Sequence, residues 1–185
     1  MDTAKGKKIG FDNDKYIRIQ SENIKERIAQ FSGKLYLELG GKLFDDHHAS
    51  RVLPGFQPDS KLRMFQKISD QIEIVIVISA EDIEKNKVRA DLGITYDEDV
   101  LRLREEFHNR GFFVGSVVIT HYNGQHAADA FRQRLKRMDI KSYVHYLIDG
   151  YPHNVELIAS DEGLGKNDYV ETARPLVLVT APGPG

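Results

Sequence analysis

Residues 40–51 place Gly40, Gly41 and Lys42 ahead of Asp45, Asp46, His47, His48 and Arg51. Glycines free a backbone to turn tightly, and such a turn beside an ammonium can hold a phosphate or a carboxylate. Imidazoles next to carboxylates can move protons at neutral pH, and an arginine can stabilise developing negative charge. A second set, His121 and His126, lies in the stretch HYNGQH, and a third is the closing TAPGPG, where Gly183 and Gly185 follow an apolar run. His47, Arg51, His121 and His126 are therefore the candidates for charge stabilisation or proton transfer. Gly40, Gly41, Lys42, Gly183 and Gly185 are the candidates for holding an anionic ligand, ATP or another phosphorylated compound.

Each set also has a plainer reading. Gly40-Gly41-Lys42 makes a tight turn with a solvated lysine equally well, and Asp46 serves as a helix cap as readily as it orients a histidine. No HExxH, HxH or comparable spacing is present, so no metal is expected. Gly163-Leu164-Gly165-Lys166 lacks a clear strand in front of it and reads as a surface turn. Arg132, Arg134, Lys136, Arg137 and Lys141 form a basic run without interleaved aromatics, which reads as a solvated helix face.

Composition narrows the classes. Twenty-six Lys and Arg against 28 Asp and Glu leave a formal charge of −2 in 185 residues, so no overall basic field attracts nucleic acid. The absence of cysteine excludes disulfides, thiolate nucleophiles and Cys-held zinc, and it suits a reducing cytoplasm, the expected location. Apolar runs are too short to span a bilayer as a helix, and no membrane partner is expected. A small anionic ligand is the expected partner, with a homo-oligomer left open. The length is one domain's worth of chain.

The elements that must position these residues alternate. Ile17, Ile24, Ile28 and Phe31 share one helical face, with Gly33 placed as a C-terminal cap. A strand is expected over residues 34–39, then a helix over 58–70 with Leu62, Phe65 and Ile68 inward. IEIVIVIS, residues 72–79, lacks polar alternation, as a strand covered on both faces does. Residues 81–99 form a charged connection, a lid or a loose loop. Thr95 and Glu98 match a capping box, and the helix they open runs to Gly111. A strand over 112–120, a helix over 127–138, and strands over 141–148 and 175–181 follow; residues 155–172 are the hardest to place. This alternation predicts an α/β fold: a mainly parallel sheet of about five strands with helices on both faces, Rossmann-like or P-loop-like in three layers. Ligands bind beyond the carboxyl ends of such strands. Five of the seven histidines (47, 48, 121, 126 and 153) fall behind these expected exits.

The stretch ELGGKLFDDHHASRVLPGF, with EKNKVRADLGITYD, SDEGLGKNDYVETARPLV and the closing VTAPGPG, resembles the bacterial family known as domain of unknown function 1846. The resemblance runs from about Lys8 to the end. It implies a longer, cytosolic full-length protein in which the PGPG turn continues into Ser-Gly-Lys, similar to a P-loop with alanine in place of its first glycine. Some members carry an ATP-dependent peptidase label, which nothing in these residues supports, and the resemblance brings no catalytic residue with it. The chain is thus expected to be a single α/β domain, the N-terminal part of a longer protein. The leading expectation is the nucleotide- or phosphate-ligand-binding portion of an enzyme. The rival is a non-catalytic regulatory or assembly module that binds another chain or the C-terminal region. Convergence of the polar side chains in one cleft favours the enzyme; dispersal with an exposed apolar patch favours the module.

Overall fold

The computed structural model describes residues 10–38 and 51–183. Five strands pair into one sheet: β1 (Leu35–Glu38), β2 (Ile72–Ser79), β5 (Phe113–Tyr122), β6 (Ser142–Tyr146) and β7 (Leu176–Thr180). Their order is β1-β7-β2-β5-β6, and every pairing is parallel. The expected α/β architecture with a parallel sheet of about five strands is borne out. Two further strands, β3 (Val88–Arg89) and β4 (Ile94–Thr95), form a small antiparallel ribbon.

Alternation along each strand builds two cores. Ile72, Ile74, Ile76 and Ile78 of β2, with Val117, Ile119, Leu176 and Leu178, face the helices α1 (Asn13–Gln30), α2 (Ser60–Gln66), α3 (Ala80–Glu84), α4 (Tyr96–Asn109) and α5 (His126–Arg137). Residues of the opposite parity, Val75, Val118 and Val177, make a smaller cluster on the other face with Val77, Tyr143, Val170 and Val179. Val170 comes from the crossover between β6 and β7, which also carries the short helix α6 (Val155–Ile158). Connections that advance from β1 toward β6 lie on the first face, and the one that returns lies on the second. One crossover hand produces that pattern, and parallel sheets use the right hand.

Local chemistry explains several boundaries. Asp12 opens α1, its carboxylate accepting the Lys15 N–H at 3.0 Å. The helix stops at Gln30, and Phe31 is extended and 58% exposed, so the inward place expected for Phe31 is corrected, as is the cap expected at Gly33. Helix α2 is shorter than 58–70, ending at Gln66 before a 3-10 turn over Ser69–Gln71; Leu62, Phe65 and Ile68 are buried as expected. Helix α4 ends where expected. Gly111 sits at φ +82°, its N–H bonding His108 O at 2.9 Å while Phe112 N–H reaches back to Phe107 O at 3.0 Å.

Residues 81–99 are not a loose loop. They fold into α3 and the β3–β4 ribbon, which Arg89 ties to α4 through the fully buried Asp99, 3.1 Å away. Arg102 holds the other Asp99 oxygen at 2.7 Å. The capping box is not formed. Thr95 makes no side-chain cap bond, and Glu98 instead pairs with Arg134 on α5 at 2.5 Å. A bidentate partner across the fold displaces the local backbone partner.

Candidate functional site at the strand exits

The carboxyl ends of β7, β2 and β5 lie side by side. Ser79 and Thr120 are register partners at the tops of β2 and β5, and both strands lead into helices on the same face. The β2–β7 ladder stops lower, at Ile76 and Thr180. Beyond it β2 continues through Val77, Ile78 and Ser79, about 10 Å of strand. The exit of β7 is therefore a shelf against the taller wall of β2 and β5. Thr180 is buried at its base, followed by exposed Ala181, buried Pro182 and half-buried Gly183. A Cβ added at Gly183 would meet nothing within 4 Å; packing does not demand glycine there.

On the wall, the Ser79 hydroxyl accepts the Glu81 N–H at 3.2 Å and starts α3. Lys85 bonds Glu81 at 3.0 Å and is the main reason that its carboxyl lies below the ordinary 4.5, with the neighbouring His121 a lesser cause. Thr120 Oγ1 is 3.3 Å from His121 Nδ1. His121 itself has φ +52° and is exposed. Left-handed backbone is uncommon outside glycine and costs energy that the surroundings must supply. They do so here through Gln125, which donates to His121 O at 3.1 Å and accepts the Asn123 N–H at 2.7 Å. Below the loop, Tyr122 donates to Asp129 at 2.8 Å, packs edge-on against Tyr146 at 5.5 Å and lies under Arg132. The bond to Asp129 is the chief cause of a Tyr122 pKa above 10.

His121 and His126 thus bracket one laced loop: His121 inside the end of β5, where the sequence places it in a loop, and His126 as the first residue of α5. Glu84 of α3 receives the next N–H, that of Ala127, at 3.3 Å. Arg51 is helical and exposed, and no described contact joins it to either histidine. Gly40, Gly41, Lys42, His47 and Gly185 lie outside the described residues. In the Gly163–Lys166 stretch Gly163 is buried against the Leu157 carbonyl, and Leu164–Lys166 make an exposed 3-10 turn with Lys166 paired to Glu162 at 2.9 Å. Arg134 and Lys141 of the basic run are ion-paired within the fold. No group of three or more His, Asp or Glu among the described residues is arranged to hold a metal ion.

Sequence reasoning missed the hydroxyls Ser79, Thr120 and Thr180. Their signal was present, since three apolar runs end as IVIS, VVIT and VLVT.

The family model for the N-terminal part of domain of unknown function DUF1846 matches residues 9–185. The chain belongs to this family. It is 57% identical over 179 residues to the UPF0371 protein SUB1165 of Streptococcus uberis, covering 97% of this chain and 36% of that relative. A UPF0371 protein of Streptococcus sanguinis is likewise 57% identical, and one of Streptococcus pneumoniae strain CGSP14 is 56% identical, with the same coverage. The chain spans 36% of the length of these curated relatives. They are uncharacterised proteins. Among the described residues no helix is long and apolar enough to cross a membrane.

Proposed function

We propose that this chain is the α/β portion of an enzyme that binds a nucleotide or another phosphorylated ligand, ATP being the first to try. The ligand lies on the β7 shelf, against the wall formed by the β2 and β5 exits. Gly183 leaves room for close backbone approach, and Gly41 and Lys42, which follow β1 in sequence, supply amides and a charge to the anionic group. His121 carries charge stabilisation or proton transfer, with His126 across the loop, and Arg51 and His47 drawn from the segment after β1.

The observation that supports this reading most is the backbone of His121. A non-glycine residue held at φ +52° at the carboxyl end of an interior strand is strain located where parallel sheets bind ligands. Its imidazole stays exposed rather than being used in packing.

The test is a thermal-shift screen of nucleotides and phosphorylated metabolites against the full-length protein, repeated with His121→Ala. A ligand that raises the melting temperature of the parent and not of the variant is expected. Shifts of equal size in both proteins, or none with any compound, would count against the reading.

A further inference from the structure

We propose that in full-length members of the family the polypeptide after β7 crosses the less covered face of the sheet and adds a parallel strand beside β1. Relatives matched over 36% of their length by a region described as N-terminal have most of their chain still to place. The sheet restricts where that chain can go.

Strand β7 already has β1 on one side and β2 on the other, so any further strand of this sheet must join at an edge. The β6 edge is closed. Asp168 N–H donates to Val144 O at 3.0 Å, its carboxylate accepts the Val144 N–H at 2.7 Å, and Asn167 accepts the Tyr146 N–H at 2.8 Å. The β1 edge has a different character. Beside it runs a groove lined by Ile24, Arg27, Gln30, Leu35 and Leu37, with both leucines only half-buried. Leu35 N–H points to β7, donating to Pro175 O at 2.9 Å. Strand alternation therefore turns the Tyr36 and Glu38 amides outward, a short row with no backbone partner among the described residues.

Handedness then selects the face. A connection from β7 to a strand beyond β1 travels in the same direction as the β6-to-β7 crossover, so a right-handed path lies on the same face, away from α1–α5. On that face the crossover segment covers Val75, Val118 and Val177, whereas Val77 and Val179 remain half-buried and Tyr36 is 57% exposed. The occupant is the family's own C-terminal polypeptide: an apolar helix face over Tyr36 and Val179, then a strand in the groove.

Two probes in the full-length protein test this. Hydrogen exchange should show the Tyr36 and Glu38 amides slowed at least about a hundred-fold relative to an unstructured amide. Tyr36→Cys should react with a maleimide about ten-fold or more slowly than Glu105→Cys, which sits on the exposed side of α4, and equally slowly on dilution. Free exchange at Tyr36 and Glu38 in the unsubstituted protein overturns the strand, even if the cysteine variant misfolds. Rapid labelling of a folded Tyr36→Cys variant overturns the covering helix. Protection lost on dilution assigns the face to a second copy and also overturns the proposal.

Discussion

Glu73 holds the backbone of Arg174, and Arg174 in turn holds the backbone that leads into Glu73. One Glu73 oxygen accepts the N–H groups of Ala173 and Arg174 at 2.5 and 3.2 Å, and the Arg174 guanidinium donates to the carbonyls of Ser69 and Ile72 at 2.5 and 2.8 Å. The pair fixes the crossover segment just before β7 and so sets the height at which β7 meets β2. The shelf at the far end of β7 depends on that register. Glu73 is the one acidic side chain in IEIVIVIS, a buried carboxyl group in a run that is otherwise apolar as far as Ile78.

Glu73→Ala leaves two backbone donors without their acceptor, which costs roughly 1–3 kcal/mol for each group left unsatisfied. The site is crowded by design: a Cβ on Gly115 would fall 1.8 Å from Glu73 Oε1. Gly115→Ala should therefore destabilise the parent by about 1–3 kcal/mol and cost much less in the Glu73→Ala background. Urea denaturation of the four proteins measures the coupling. Additive losses would show that the two residues do not compete for space.

His121→Gly should fold at least as stably as the parent, because glycine adopts φ +52° without the penalty of about 1–2 kcal/mol that other residues incur. His121→Val, β-branched, should lose stability. Melting temperatures of both variants decide this. A glycine variant clearly less stable than the parent would place a packing role on the imidazole.

Asp99→Asn should be among the most damaging substitutions in α4. Its carboxylate is fully buried between Arg89 and Arg102, and breaking a buried pair costs about 3–5 kcal/mol. The β3–β4 ribbon should loosen first, visible as faster exchange of the Tyr96 amide, which now donates to Lys87 O at 2.9 Å.

Tyr122 provides a pH dependence whose sign is fixed. Its pKa is raised in the folded protein, first by the hydrogen bond to Asp129. The stability this contributes is fully present below the ordinary tyrosine value of about 10 and is lost as pH rises through the higher folded value. Tyr122→Phe should be less stable by about 1 kcal/mol near pH 8, and the gap should close in denaturation curves above pH 10. A gap that widens there would reverse the assignment.

The sequence made the fold legible wherever one period acted alone. The apolar run of β2 and the glycine after α4 mark boundaries that local chemistry decides. It misled wherever a distant partner intervened. Glu98 has the spacing of a capping box, but Arg134 takes its carboxylate; Phe31 continues the apolar period of α1, but the helix ends one residue earlier. At the site, the polar exits were visible and the geometry was not. His121 reads as a loop residue because nothing in HYNGQH announces that β5 extends to Tyr122 with a left-handed residue inside it. The shelf at Thr180 follows from strand register, which no single run of residues encodes.

A phosphorylated ligand over the exits of β7, β2 and β5 is the proposal on which the functional reading stands. Titration calorimetry of ATP into the full-length protein, with His121→Gly and Lys42→Ala alongside, tests it most directly. Loss of the Lys42 ammonium contact is worth about 1.5–3 kcal/mol and loss of one imidazole hydrogen bond about 0.5–1.5 kcal/mol. Lys42→Ala should therefore bind about ten- to a hundred-fold and His121→Gly about two- to ten-fold more weakly, both melting no lower than close to the parent. Saturable binding of unchanged affinity in both variants would remove the ligand from these exits, as would no binding by the parent to ATP or to any phosphorylated compound that the thermal-shift screen offers.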